Sequence, residues 1–237
     1  MAFIERTYKV GIMHIDKNAI LTKKAILGFF ETTACEHSDM AGYGISNIPK
    51  TNLSWVLLQW KASFIKEVSY GSNVRVITWA RDTDAFTSYR DFKLYDESGN
   101  LCAIATSKWA LIDLAKGLTR IGNIITDNYN PESDCVFSER LLAKIVPPNE
   151  KECERVFEYS VMAHDIDVNN HMHNLNYLHL ATDALGDDSS FNCVEILYKT
   201  QCKQGDLLSV MKTKTEEGTF VVIKMQEKLS AVIKFYN

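Results

Sequence analysis

An internal repeat constrains this chain more than any other feature. Ile15-Asp16-Lys17-Asn18 precedes one stretch of helical apolar spacing, and Ile166-Asp167-Val168-Asn169 precedes another, 151 positions later. In the first stretch Ile26, Leu27, Phe29, Phe30, Ala34 and Cys35 fall close to one helical stripe. Thr22 can cap its start, so a helix is predicted over about Thr22–Ser38. In the second, Leu175, Leu178, Leu180 and Ala181 predict a helix over about His171–Leu185. Strand-like runs follow each helix. Tyr70-Gly71-Ser72-Asn73 and Gln204-Gly205-Asp206 hold the same place before a strand. Matching element order makes duplication a better account than chance.

The first half reads as a strand at Thr7–His14, the helix, a loop at Ala41–Pro49, and strands at Ser54–Val68, Val74–Ala80, Thr87–Tyr95 and Leu101–Ile112. Asp96-Glu-Ser-Gly-Asn100 is a hairpin turn, with Gly99 where a positive φ is expected. The second half reads as strands at Cys153–Val161, Val194–Cys202, Leu207–Thr215, Phe220–Glu227 and Ser230–Tyr236, with Glu216-Glu217-Gly218 as a turn. Between the halves, Pro131, Pro147, Pro148 and many polar residues predict a linker with a short helical stretch near Ser138–Ile145. The expected division is a unit over 1–120, a linker over 121–151 and a unit over 152–237. The length of 237 residues allows one large domain or two small ones, and the repeat selects two.

Composition excludes several classes. With 26 basic and 30 acidic residues, net −4, the chain lacks the balance of a nucleic-acid-binding protein. No apolar run approaches the ~18 residues that span a bilayer, so no membrane insertion is expected. The start, Met-Ala-Phe-Ile-Glu-Arg, has no basic segment followed by an apolar one, which predicts a cytoplasmic protein. Cys35, Cys102, Cys135, Cys153, Cys193 and Cys202 form no C-x-x-C pair, so no metal site is expected there.

The densest polar cluster runs from His164 to Asn174 and holds three of the six histidines. It stands where the chain enters the second helix. Asp167 alone would be a turn residue, and Asn169 or Asn170 alone an N-cap. Together with His171 they suit proton transfer. An imidazole exchanges protons near neutral pH. A helix start disfavours the imidazolium and offers backbone N–H groups to a developing oxyanion. Asn169 can orient a water or a carbonyl, and Asp167 can fix either neighbour by hydrogen bonding. The aligned positions of the first half are Asp16, Asn18 and Ile20. Only the second half keeps the histidine, as expected of two units of which one retained the chemistry. His171 and His173 are two apart, which is not the spacing of a helical zinc pair.

Several segments resemble the acyl-acyl carrier protein thioesterases, the plant and bacterial hydrolases that terminate fatty acid synthesis. They are Trp55-Val-Leu-Leu, Val76-Ile-Thr-Trp79, Tyr89-Arg-Asp-Phe92, Gly99 through Asp113, and Asp165-Ile-Asp-Val-Asn-Asn-His171 with Asn174-x-x-Tyr177. The resemblance covers nearly the whole chain. It implies an α+β double hotdog: two antiparallel sheets, each wrapped around a long helix, in tandem. It places the family's Asp, Asn and His on Asp167, Asn169 and His171. A Glu-Cys pair of the family corresponds to Gln201-Cys202, so the carboxylate is replaced by an amide that can position water but cannot act as a carboxylate base. Cys202 reads better as a packed strand residue than as a nucleophile.

The resemblance further implies that the first unit holds the acyl chain, with Leu53, Trp55, Val56, Leu58, Phe86 and Phe29 as candidate lining and no cofactor. The implied partner is acyl carrier protein bearing a fatty acyl-phosphopantetheine. Its acidity predicts a basic docking surface, with Lys108, Lys116, Arg120, Lys199 and Lys203 as candidates. A homodimer is left open, and a bacterial cytoplasm is the expected location. Two alternatives remain: an acyl-CoA thioesterase of the same fold, and a hotdog protein that binds acyl groups without turnover.

Overall fold

A computed structural model describes residues 2–186 and 190–237, the side chain of Asp82 excepted. The chain divides into two compact units, Met1–Leu58 with Ala62–Leu142, and Gln59–Lys61 with Ala143–Asn237. Both are hotdogs: an antiparallel sheet wrapped on one long helix.

Unit 1 carries strands β1 (Phe3–Lys9), β2 (Leu53–Phe64), β3 (Asn73–Thr83), β4 (Thr87–Tyr95), β5 (Leu101–Asp113) and the short β6 (Gly117–Leu118). Its sheet order is β1-β3-β4-β5-β2, with β6 beside β5. The long helix α1 (Lys23–Met40) packs on β1 and β3. Thr22 caps it, its side chain accepting from the Ala25 N–H. The helix buries Ile26, Leu27, Phe29, Phe30, Thr33, Ala34 and His37, one stripe at spacings of three and four. Phe30 stacks on Phe92 of β4 at 5.0 Å, and Tyr8 on Phe29 at 4.6 Å. Two short helices complete the unit: α2 (Ile48–Thr51), which starts at the end of the expected loop and runs past it, and α3 (Ile124–Tyr129).

Unit 2 carries β7 (Glu154–Ser160), β8 (Cys193–Tyr198), β9 (Leu207–Thr215), β10 (Gly218–Met225) and β11 (Lys228–Tyr236), in the order β8-β11-β10-β9-β7. Helix α4 (Asn174–Leu185) packs on β9, β10 and β11. It buries Leu175, Tyr177, Leu178, Leu180, Ala181, Ala184 and Leu185. Among the described residues no helix is long and apolar enough to cross a membrane.

The structure shifts several boundaries, β3 for instance running on to Thr83 and β10 starting at Gly218. The first strand is Phe3–Lys9, because residues 12–14 tighten into a 3₁₀ turn. β2 ends at Phe64 rather than Val68, and β8 at Tyr198 rather than Cys202. α4 begins at Asn174, since His173 is its cap. The short helix between the halves is α3, and none forms over Ser138–Ile145. A helix that short needs a face to bury. Ile125 and Tyr129 of α3 are buried, whereas over Ser138–Ile145 Leu141 is exposed and Ile145 alone is buried, and Pro147 disfavours helix just before it.

The polar stretch after α3 is fastened to unit 1. The Glu132 N–H donates to the Ala80 carbonyl at 3.0 Å, and Trp79 Nε1 to the Asp134 carbonyl at 3.0 Å. The Val136 N–H donates to Asp91 Oδ2 at 3.0 Å. Asp91 is fully buried, with Thr106 Oγ1 donating to its other oxygen at 2.6 Å and Arg81 beside it.

Truncating Phe30 to alanine removes a fully buried ring from the α1–β4 contact. It is expected to lower stability by about 3–5 kcal/mol, read as a shift of the urea midpoint at unchanged slope.

Candidate active site

The repeated segment folds the same way in both units. In unit 2 a 3₁₀ turn (Ala163–Asp165) leads into an isolated bridge between Ile166 and Met172. In unit 1 a 3₁₀ turn (Ile12–His14) leads into a bridge between Ile15 and Leu21. Between the bridge residues lies one loop geometry. The Asp167 N–H donates to the His171 carbonyl at 2.9 Å, and that of Asp16 to Ile20 at 2.9 Å. Asp167 Oδ1 accepts from the N–H groups of Asn169 (2.8 Å) and His171 (3.4 Å). Asp16 Oδ1 accepts from those of Asn18 (2.9 Å) and Ile20 (3.0 Å). Asn170 and Ala19 close the two loops in the left-handed region, at φ 59° and 60°. Asparagine tolerates that region and alanine does not.

This geometry gives Asp167 a definite task. Its carboxylate shapes the backbone that presents His171. The histidine is half-buried, and its Nδ1 is sealed from solvent with no hydrogen-bond partner. Proton exchange with solvent or substrate is thereby confined to Nε2. Asn169 is exposed beside it on the loop. The Met172 N–H donates to the Cys202 carbonyl at 2.7 Å, which ties the segment after β8 to this loop and puts the exposed Gln201 one residue from the tie. In unit 1 the Leu21 N–H donates to the Val68 carbonyl at 2.8 Å. Cys202 therefore matches Val68, and Gln201 matches Glu67.

Cys202 is fully buried, its Sγ 3.2 Å from Ser230 Oγ. Burial pushes its thiol up, away from the thiolate that attacks carbonyls. The other histidines have separate places. His173 caps α4, its Nδ1 accepting from the Leu175 N–H at 3.3 Å, and His164 is exposed.

Sequence reasoning missed the residue on which this loop is mounted. Asp165 is 5% exposed, and its Oδ2 accepts from Tyr159 Oη at 2.7 Å and the Met162 N–H at 2.8 Å. Oδ1 accepts from Asn176 Nδ2 at 3.1 Å, and the carbonyl from the His173 N–H at 2.8 Å. One buried carboxylate thus joins β7, the 3₁₀ turn and α4. Burial and this carboxylate push the Tyr159 phenol up to about 12. The repeat offered a clue: Tyr159 and Asp165 stand 151 positions after Tyr8 and His14. His14 Nδ1 accepts from the Gly11 N–H at 3.0 Å, the counterpart of the Met162 bond.

The expected lining residues are distributed over unit 1. Leu53 and Trp55 pack against a buried cluster of Ala80, Leu111, Ile121, Ile125 and Tyr129. Phe29 lies on the buried face of α1, and Val56 and Leu58 are half-buried on β2. Phe86 lies apart from them, exposed on the β3–β4 turn with the Arg120 guanidinium 5.4 Å over its ring.

Comparison with known proteins gives a consistent picture. A family model for the acyl-ACP thioesterase N-terminal domain matches residues 2–130, and one for the C-terminal domain matches residues 149–233. The chain is 24% identical over 239 residues to the chloroplastic oleoyl-acyl carrier protein thioesterase 1 of Arabidopsis thaliana, covering 91% of this chain and 63% of that one. It thus spans less than two thirds of that relative's length. Among solved structures, an acyl-ACP thioesterase from Bacteroides thetaiotaomicron superposes with a TM-score of 0.85 at 21% identity, over 99% of this chain and 97% of the other. The 12:0-ACP thioesterase of Umbellularia californica superposes with a TM-score of 0.86 at 16% identity, over 99% and 96%.

Two stability measurements test this account of the loops. Asp165→Ala removes a buried acceptor of three side-chain hydrogen bonds and is expected to lower stability by about 3 kcal/mol or more, with Tyr159→Phe lowering it by about 1–2. Ala19→Gly, which relieves a left-handed alanine, is expected to raise stability by about 1 kcal/mol. Thermal or urea unfolding reads both signs.

Proposed function

Because the chain belongs to the acyl-ACP thioesterase family, we propose that it hydrolyses the thioester joining a fatty acyl group to acyl carrier protein and releases free fatty acid. The observation that carries this reading is the loop pair. One geometry is built twice, and only the copy in unit 2 carries an imidazole with a single reachable nitrogen.

In the proposed step His171 Nε2 takes a proton from water, and the water oxygen forms the new bond to the thioester carbonyl carbon. The carbonyl electrons move to oxygen, where the side-chain amide N–H groups of Asn169 and Gln201 can donate to the oxyanion. The intermediate collapses with cleavage of the carbon–sulfur bond. The leaving pantetheine sulfur takes the proton that His171 carried, which restores the imidazole. Asn169 and Gln201 orient the water or the carbonyl by hydrogen bonds, and neither is a base. Asp167 acts by fixing the loop. A thiol held protonated by burial is a poor nucleophile, which supports water rather than Cys202 as the attacking group.

In the same reading, unit 1 holds the acyl chain, with Trp55, Val56, Leu58 and Phe86 against it. The division proposed is 1–120 for acyl binding and 152–237 for chemistry. Lys108 and Arg120 offer positive charge to an acidic carrier. The Lys108 ammonium lies over the Tyr89 ring and the Arg120 guanidinium over the Phe86 ring, each 5.4 Å from the ring centroid.

Purified protein given acyl carrier protein loaded with chains of several lengths is expected to release free thiol. No release above background at any length overturns the hydrolase, and retained binding then points to an acyl-binding protein. Faster turnover of acyl-CoA overturns the choice of carrier. His171→Ala is expected to lower kcat by about 100-fold or more, with Asn169→Ala also losing most activity and the unfolding midpoint unmoved in both. Gln201→Glu is expected to leave the rate near that of the parent protein.

A further inference from the structure

After β8 the chain of unit 2 leaves the sheet, and residues 199–202 carry Gln201 to the loop of His171. Backbone bonds hold this short segment at both ends. The Lys199 N–H donates to the Ser230 carbonyl at 2.9 Å, and the Cys202 carbonyl accepts from the Met172 N–H at 2.7 Å. Side chains add a third hold. Cys202 Sγ donates to Ser230 Oγ at 3.2 Å, and the Tyr177 hydroxyl of α4 bonds to the same sulfur. With the thiol proton directed at Ser230, the sulfur accepts from Tyr177. A hydroxyl, a thiol and a second hydroxyl thus form one chain from α4 to β11. Tyr177 is 2% exposed, Cys202 0% and Ser230 1%, so none of the three touches a substrate. Burial and the neighbouring thiol push the Tyr177 phenol up.

Unit 1 builds the same backbone without this chain. The Ile65 N–H donates to the Cys102 carbonyl at 2.7 Å, as that of Lys199 does to Ser230. The Leu21 N–H donates to Val68 as that of Met172 does to Cys202. By these pairings Ser230 matches Cys102 and Cys202 matches Val68, while Tyr177 stands 151 positions after Ile26. All three unit 1 residues are buried. Ile26 and Val68 carry no hydrogen-bonding side-chain group, and Cys102 Sγ donates to the Asn100 carbonyl at 3.4 Å. A largely apolar set therefore suffices to fold this junction. Burying polar groups costs desolvation that their hydrogen bonds offset, and what a bonded chain adds to packing is fixed direction. Of the two units, only the one with His171 and Gln201 has it.

We propose that Tyr177, Cys202 and Ser230 are positioning residues for the hydrolytic reaction, a buried clamp that fixes residues 199–202 so that Gln201 stands in register with the His171 loop. The proposal rests on the reading of His171 and Gln201 given above. It assigns Cys202 a task that needs no thiolate. Displacing an orienting group by a fraction of a bond length slows the chemical step, even when the displaced residue is far from the reacting atoms.

Cys202→Val installs the residue found at the unit 1 junction. It nearly keeps the packing volume and removes both bonds. The expected result is a fall in kcat of about tenfold, with KM and the urea midpoint unchanged. Tyr177→Phe and Ser230→Ala lower kcat in the same direction. Cys202→Ser, whose hydroxyl both accepts and donates, restores most of the loss. Coupling separates positioning from a merely structural role. In a Gln201→Ala background, Cys202→Val is expected to change kcat by less than about twofold, because the group it positions is gone. A tenfold fall there as well, a loss of stability in step with kcat, or an unchanged kcat in the single variant overturns the proposal.

Amide hydrogen exchange gives a readout without turnover. The Met172 N–H is bonded to the Cys202 carbonyl, and in Cys202→Val it is expected to exchange about tenfold faster while amides of β10 and β11 keep their rates. Unchanged Met172 exchange overturns the clamp alone. No thiol release by the parent protein overturns the hydrolase, and the catalytic purpose of the clamp with it, so the two failures are distinguishable.

Discussion

A carboxylate oxygen that accepts backbone N–H groups two and four residues ahead is the constraint on which the site depends. In unit 2, Asp167 bends the chain so that Ile166 and Met172 pair across the loop. The bend fixes where His171 stands. It also brings the Met172 N–H to the Cys202 carbonyl, so Gln201 arrives from a distant part of the chain. Without the bend the histidine would be an ordinary residue in a connection. Asp16 makes the same bonds in unit 1 with no histidine present, which shows that the carboxylate's work is done on the backbone.

That loop is anchored from below by a second carboxylate of a different kind. Asp165 is buried, and its partners come from β7, the turn and α4. A buried charge is tolerable only when such bonds satisfy it, and the same bonds make its surroundings rigid. Unit 1 solves the same problem with His14, a neutral acceptor with fewer partners. The two units therefore share a backbone and differ in how firmly it is held.

Much of this was legible in the sequence, and the failures have physical causes. β4 and β9 match their predicted bounds to the residue, because turn residues close them, Asp96 to Asn100 after β4 and Glu216-Glu217-Gly218 after β9. Thr22 was readable as a cap because capping is local. The ends of β2 and β8 were overrun, because apolar residues such as Val68 and Cys202 continue inward after the strand has stopped pairing. Asp167, Asn169 and His171 stand within one loop, so their spacing carried information. Asp165 was overlooked because Tyr159 and Asn176 are six and eleven residues away on separate elements.

The twin loops have a consequence for how such a chain can change. In a pair of identical subunits every substitution is made twice, and a residue useful at one site is imposed on its symmetry mate. Joining the two copies in one polypeptide lifts that obligation. Ile20 and His171 can then differ, as can Glu67 and Gln201, while the backbone that holds them stays the same. The loop around Asp16 is the same formed scaffold, with Ile20 where the other loop carries His171. Symmetry broken in sequence but kept in geometry leaves such a protein with two equivalent positions, each open to alteration without disturbing the other.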